Sequence, residues 1–340
     1  MYGHRVTMED VAAQAGVSRA LVSIVFRGVP GASDATRQRV LDAAVGLDYR
    51  PDRRASRLGR SRSRTIGVAF HVGDAFHGDL LGSLYRHGDT AGYEIVLSGV
   101  TASRAHDEAV ETLLAERCEA LILLGAQQSR TDLARLAARL PVVSVLRNVH
   151  AEDIGVVRTD DAAGLRLAVE HLHGLGHTRI ALLDGGRAAG AADRRRGYRV
   201  GIRHSPGLSE ALLPGGVTEL EGAEAARVFL GLGSDRPTGV AAFNDRCALG
   251  FIDVVRRAGV RVPDDLSVVG FDDITEAAYP HIALTTVRQD AARLGAEAVR
   301  AVADRLERGT AAGSVTIEPE LIVRTTTAAV QSGEAGRRAG

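Results

Sequence analysis

The sequence contains no lysine: all 42 of its basic residues are arginine, and 42 acidic residues balance them. This reflects genome composition more than mechanism. Cysteine is nearly absent too. Cys118 and Cys247 lie far apart in apolar surroundings, which excludes a disulfide framework and any thiolate metal spacing and predicts two buried structural thiols. No apolar run reaches the length of a membrane span, so no membrane partner is expected. The opening MYGHRVTMED has no apolar core of an export signal, so a cytoplasmic location is expected. GxSxG is missing and neither cysteine has an activating motif, which leaves nucleophilic catalysis without a carrier. Asp184-Gly185-Gly186 lacks both GxGxxG spacing and the Gly-Lys pair of a P-loop. His171, His173 and His177 stand at i, i+2 and i+6, which does not place three ligands on one helical face. Neither metal nor cofactor is expected, and the chain does not read as an enzyme.

What is present begins at the N-terminus. Thr7 followed three residues later by Asp10 is a capping-box-like start, with the acid facing the positive end of the helix dipole. A helix is predicted over about Met8 to Ala15, with Met8, Val11, Ala12 and Ala15 on one face. Gly16 allows a tight turn, Val17 is an apolar plug, and Ser18 can cap a second helix carrying Ala20, Leu21, Ile24 and Val25. Two short helices meeting at a glycine turn make a helix-turn-helix. A third helix is predicted after Ser33, presenting Ala35, Val40, Ala43, Ala44 and Leu47 to the first two and leaving Thr36, Arg37 and Arg39 for phosphates.

Charge separates this head from the rest of the chain. Residues 1–64 hold twelve Arg against six acids, a net +6, so the remainder carries −6. A small basic module on an acidic body is the footprint of phosphate neutralisation confined to the head. Arg50-Pro51-Asp52 ends the helical pattern, and RRASRLGRSRSR beyond it reads as a basic linker with room for one short helical turn.

The segments AGVSRALVS, SDATRQRVLDAAVGLDYRP and RRASRLGRSRSRTIGV resemble the head and hinge of the lactose repressor and galactose repressor family of bacterial transcription regulators. The likeness continues through DDAAGLRLAVEHLHGLGHTRIALL, AAFNDRCALGF, RVPDDLSVVGFDD and LTTVRQD, in the family's order and over nearly the whole chain. It implies a repressor that binds a pseudo-palindromic DNA operator as a homodimer under control of a small-molecule effector, a sugar or sugar derivative. Arg19 and Ala20 match the family's main base readers: Arg19 can pair bidentately with a guanine edge, and Ala20 can touch a thymine methyl. Thr7, Ser18 and Ser23 join them on the DNA side. Ile24 stands where most members place an arginine. By the same resemblance Ala55 and Leu58 belong to a hinge helix that folds on DNA, its leucine wedged into the minor groove.

From Thr65 onward, near-continuous apolar runs (TIGVAF, YEIVLSG, EALILLG, PVVSV, IALLDG, TGVAAFN, LSVVGFD) alternate with amphipathic stretches. This argues for parallel sheets covered on both faces. Such a body, too long for one core, is expected to form two Rossmann-like lobes with a ligand between them at the C-terminal strand ends. The fold class is therefore an all-α helix-turn-helix head plus an α/β periplasmic-binding-protein-like body of two Rossmann-like lobes. Expected boundaries are 1–50 for the head, 51–64 for hinge and linker, and 65–327 for the body, with a disordered tail at 328–340. Within the body the N-lobe is expected at about 65–159 and 288–318 and the C-lobe at about 160–287 and 319–327.

Strand ends supply the effector candidates. Asp74 and Phe76, Arg147, Asn244 with Asp245, and Asp272 with Asp273 follow four of the runs. An arginine, an amide and carboxylates beside an aromatic ring suit a polyhydroxylated ligand. The resemblance matches Arg194, Asn244 and Asp272 to the family's effector-binding residues and adds Asp160, Arg147 and Gln289. Each polar residue taken alone fits a capping or bracing role equally well, the role expected for Asp161, Asp245 and Asp273. Two rival functions share the body: a periplasmic-type sugar-binding protein, which the basic head opposes, and an enzyme acting on a sugar or nucleotide, for which no paired acid and base are in evidence.

Overall fold

The computed structural model describes residues 6–49, 62–149, 151 and 153–330. It divides into two compact units, one up to Ser63 and one from Arg64. Ala55 and Leu58, and with them the hinge reading, lie outside the described residues.

In the first unit, α1 (Met8–Ala15), α2 (Arg19–Phe26) and α3 (Asp34–Gly46) form the expected trihelical head. Local chemistry sets each boundary. The Thr7 backbone N–H donates to Asp10 Oδ2 at 2.8 Å and the Asp10 N–H returns a bond to Thr7 Oγ1 at 3.4 Å, the reciprocal capping box. Gly16 ends α1 at φ 65°, a left-handed conformation costly for a residue with a Cβ. Ser18 Oγ accepts the Leu21 N–H at 3.2 Å and Ser33 Oγ that of Thr36 at 3.3 Å, capping α2 and α3. Val11, Val22, Val25, Val40, Ala43 and Ala44 are the buried core. Two expectations need correction. Ala35 is exposed rather than packed, and Arg37 is not left for phosphates: its guanidinium donates to the Val25 and Val29 carbonyls at 3.2 and 3.3 Å, bracing the loop after α2.

The second unit holds two six-stranded sheets. The first runs β2 (Glu94–Val100), β1 (Thr65–His71), β3 (Ala120–Leu124), β4 (Val142–Val145), β5 (Ile154–Thr159), β11 (Ser314–Ile317), and every neighbouring pair is parallel. The second runs β7 (Leu212–Pro214), β6 (Ile180–Asp184), β8 (Gly239–Ala242), β9 (Ser267–Asp272), β10 (Thr285–Arg288), β12 (Glu320–Ile322); only the β10–β12 pair is antiparallel. Strands β3, β4, β8 and β9 are buried along their whole length, as sheets covered on both faces require. The chain passes between the sheets three times, after β5, after β10 and after β11. Five strands, β5, β7, β10, β11 and β12, lie outside the apolar runs that mark strands in the sequence. Most are three or four residues long and sit at sheet edges or crossings, where the apolar signal is short.

The helices between strands are α4 (Ala75–Ala91), α5 (His106–Ala115), α6 (Arg130–Ala137), α7 (Asp161–Gly174), α8 (Ala191–His204), α9 (Glu219–Gly231), α10 (Asp245–Arg257) and α11 (Ala291–Arg308). Backbones of α9 and α10 meet through glycine. A Cβ on Gly250 would stand 1.9 Å from the Glu219 carbonyl oxygen and one on Gly222 2.1 Å from that of Cys247. Gly250→Ala is therefore expected to push the helices apart and destabilise the body by at least the 1–3 kcal/mol typical of overpacking. Chemical denaturation would measure this, and an unchanged midpoint would mean that the pair can slide.

The segment after β12 differs from the expected tail. Thr326 is buried, its hydroxyl donating to the Val268 carbonyl at 2.7 Å. The Ala328 N–H donates to Ser267 Oγ at 3.0 Å and the Val330 N–H to the Leu175 carbonyl at 2.9 Å. His171 and His177 take part in this binding, through the Thr327 hydroxyl at 3.0 Å and the Ala328 carbonyl at 3.2 Å. Residues 328–330 are thus tied to the C-lobe because their backbone groups find partners there; 331–340 lie outside the described residues.

Candidate functional site

On the head, Ser18, Arg19 and Ala20 are exposed together at the start of α2, while Ser23 and Ile24 one turn later are half-buried. The Arg19 guanidinium meets Glu9 at 3.1 Å, with both side chains more than half exposed. Such a surface pair holds little energy, so the guanidinium is free to exchange its partner for a base edge. Thr7 spends its hydroxyl on the cap, donating to Asp10 Oδ2 at 2.8 Å. Ile24 points its methyls at the loop after α2, 3.4 and 3.7 Å from where a Cβ on Gly31 would lie.

In the second unit, a cavity of about 340 Å³ opens where C-terminal strand ends of both lobes converge. Beside β1 and β3 it is lined by His71, Asp74, Phe76, His77 and Gln127; from the other lobe come Arg194, Phe243, Asn244, Arg246, Asp272 and Gln289. Placement at strand ends beside the β1–β3 and β6–β8 reversals follows the rule for open α/β sheets.

Arg194, on α8, is the centre of the C-lobe wall. Its guanidinium is clamped between the Phe271 and Phe243 rings, 3.7 and 4.6 Å from their centroids. Nε donates to Asp161 at 2.8 Å, Nη1 to the Phe243 carbonyl at 2.5 Å and Nη2 to Asp272 at 3.4 Å. Burial opposes the charge, yet Asp161 and Asp272 more than offset it and raise the pKa. Gln289 donates to the same Asp272 oxygen at 2.7 Å. Asn244 caps α10, accepting the Cys247 N–H at 2.9 Å and donating to the Val217 carbonyl at 3.1 Å.

Asp272 ends β9 at φ 116°, a backbone conformation that costs a non-glycine residue about 1–3 kcal/mol. Burial pushes its carboxyl up to about 7, against the pull of Arg194 and with a further push from Asp74. The folded state holds this proton up to about pH 7 while the unfolded chain releases it near pH 4, so stability falls as pH rises between those values and the full penalty is present above them. Asp272→Asn is accordingly expected to stabilise the body at pH 8 and to flatten its stability between pH 5 and 8. Thermal melts across that range test this; a variant less stable than the parent at pH 8 would show that the carboxylate's bonds outweigh its burial.

The N-lobe wall is built from imidazoles. His71 Nε2 lies 3.2 Å from the Gln127 amide nitrogen, and the His77 ring accepts the His71 backbone N–H at 3.1 Å. His106 packs edge-on against His71, ring centroids 5.2 Å apart. Burial lowers the pKa of all three, His106 to about 4, so this wall is neutral near pH 7. Across the opening, Arg246 from α10 pairs with Glu219 at 2.8 Å and also donates to the Gly73 carbonyl of the N-lobe, a latch between lobes.

Five of the seven effector candidates, Phe76, Arg194, Asn244, Asp272 and Gln289, thus line one cavity. Two do not. Arg147 turns away, its guanidinium donating to the Ala126 carbonyl, and Asp160 caps α7 by accepting the Ala163 N–H at 3.0 Å. Both sit at strand ends, but local backbone donors and acceptors claim their side chains. Asp161, Asp245 and Asp273 do brace: Asp245 accepts the Ile274 N–H at 2.9 Å and Asp273 pairs with Arg288 and Arg324, each at 2.7 Å. His71, His77, Gln127 and Arg246 also line the cavity without having been expected there, although His71, Gln127 and Arg246 each lie within a few residues of the end of an apolar run.

Comparison with known proteins agrees with both halves. The profile described as "Bacterial regulatory proteins, lacI family" matches residues 7–52, and a periplasmic binding protein-like domain matches residues 169–327. The chain is 34% identical over 288 residues to the HTH-type transcriptional regulator GalR of Escherichia coli (strain K12), covering 83% of this chain and 84% of that one. The lac repressor dimer bound to operator and the anti-inducer ONPF aligns with a TM-score of 0.81 at 29% identity, covering 96% of this chain and 100% of that one. The transcriptional regulator CelR in complex with cellobiose aligns at 0.70 and 27% identity, covering 95% and 100%.

Proposed function

Since the chain belongs to the lacI family of bacterial regulatory proteins, a DNA-binding transcriptional regulator acting on an operator as a dimer, we propose which residues carry its two binding functions. Arg19 and Ala20 read base edges in the major groove while Ser18 and Ser23 hold phosphates. Thr7 and Ile24 act indirectly, by fixing the start of α1 and the loop after α2. Phe76, Arg194, Asn244, Asp272 and Gln289 form the effector site, joined by His71, Gln127 and Arg246. The head spans 1–50 and the hinge 51–63, and the body begins at Arg64 and includes residues 328–330, which the C-lobe binds. The lobes exchange near residues 160, 288 and 319.

A small carbohydrate in the cavity changes the separation of the lobes, and with it the geometry offered to DNA. Coupling of this kind amounts to about 1–3 kcal/mol in operator affinity. The relative solved in complex with cellobiose supports a sugar. The observation that carries the reading is the cavity itself: polar groups from both lobes face one another across it, and Arg246 already spans the gap. No chemical step is assigned to this site, and the protein works in the cytoplasm, where its operator is.

Selection of genomic fragments by the full chain, repeated with a panel of sugars and nucleobases, tests the assignment. Enrichment of a palindrome that one sugar modulates is the expected result. Turnover of any compound, or enrichment that no compound alters, would remove the effector reading.

A further inference from the structure

Two guanidiniums line the cavity, and carboxylates already hold both. Arg194 is bound by Asp161 at 2.8 Å and Asp272 at 3.4 Å; Arg246 is bound by Glu219 through two bonds, one at 2.8 Å. A fourth acid is left over. The Asp74 side chain is 41% exposed at the mouth of the cavity and, among the described residues, meets no guanidinium within ion-pair distance. Its nearest cationic candidate is His77 Nε2 at 3.8 Å, an imidazole that burial keeps neutral. Carboxylates around the cavity therefore outnumber cations.

We infer that the effector is an uncharged polyol, a sugar bearing neither phosphate nor carboxylate. The inference rests on the cavity being the effector site. An anion entering there would find no guanidinium to claim without breaking an existing pair, and would lie beside the Asp74 carboxylate, where like charges repel. Hydroxyl groups meet no such obstacle. Gln127, paired with the His71 ring, and the hydroxyl of Thr101 both donate and accept without charge. The Phe76 ring, which lines the cavity, supplies an apolar surface for C–H groups. A sugar phosphate would need the opposite arrangement, an arginine with spare donors.

The full chain bound to its operator fragment is titrated with matched sets: glucose, glucose 6-phosphate and glucuronate; galactose, galactose 1-phosphate and galacturonate; ribose and ribose 5-phosphate; and cellobiose, hypoxanthine and adenosine. Melting temperature and DNA release are both read. A neutral sugar is expected to act, with its charged counterparts at least tenfold weaker. Asp74→Asn, which keeps the helix cap because asparagine also caps well, should narrow that gap severalfold. Tighter binding of a charged member than of its parent, or an unchanged gap in Asp74→Asn, overturns the inference and leaves a sugar-responsive regulator standing. Action by hypoxanthine or adenosine alone, or by nothing in the panel, overturns the sugar reading with it.

Discussion

Arg194→Ala is expected to destabilise the two-lobed body by about 3–5 kcal/mol, the range for removing one partner from a buried charge pair. The loss has three sources. Asp161 and Asp272 are left buried without their common cation, the Phe243 carbonyl loses a donor, and the space between the Phe243 and Phe271 rings empties. Lysine does not rescue the position, because an ammonium cannot stack between two rings while reaching three acceptors. Combining Arg194→Met with Asp161→Asn and Asp272→Asn should restore much of the stability, since no unpaired charge then remains. Denaturant titration of the four proteins measures this. An Arg194→Ala protein as stable as the parent would mean that both acids are protonated in the folded body. The consequence for function is that Arg194 supports the pocket as much as it can touch a ligand, so loss of effector response in Arg194→Ala has to be judged beside Asp272→Asn.

The second large effect is on DNA. Arg19→Ala should remove a bidentate base contact worth about 1–3 kcal/mol in each half-site. Over the two half-sites of a dimer this is a loss of roughly 30-fold to 10⁴-fold in operator affinity. Folding of the head should be little changed, because the Arg19–Glu9 pair is exposed. Salt dependence separates base reading from phosphate binding. If Arg19 reads a base, the variant loses specificity while the slope of log affinity against log salt stays as it was; if it grips a phosphate, the slope falls by about one per half-site and all sequences weaken alike.

The two sites were legible to different depths. In the head, Thr7, Gly16, Ser18 and Ser33 act on residues within one helical turn, so the caps predicted for the start and end of α1 and the start of α2, and the start of α3 after Ser33, are found where the residue types place them. Arg37 shows the limit. As a charged residue on a helix face it reads as a phosphate ligand, but the loop after α2 comes back within reach of its guanidinium. The same limit operates in the body. Arg147 and Asp160 have the chemistry and the strand-end position of ligands, and a carbonyl and an amide close by take them instead. His71 lies in no motif, and Arg246, although inside AAFNDRCALGF, has no local feature that marks it as a ligand; both enter the site because β1 ends and α10 begins at the same cleft.

Sequence by itself determined the basic helix-turn-helix head, the two parallel α/β lobes and the family, since caps, apolar periodicity and motif order are local properties or sums of them. Tertiary structure alone decided which polar side chains share a cavity and which charges cancel there. Arg194 and Asp161 are 33 residues apart and Arg194 and Asp272 are 78 apart. Whether such groups meet depends on where strands and helices end in space, and the low-dielectric interior then turns that meeting into a strong interaction.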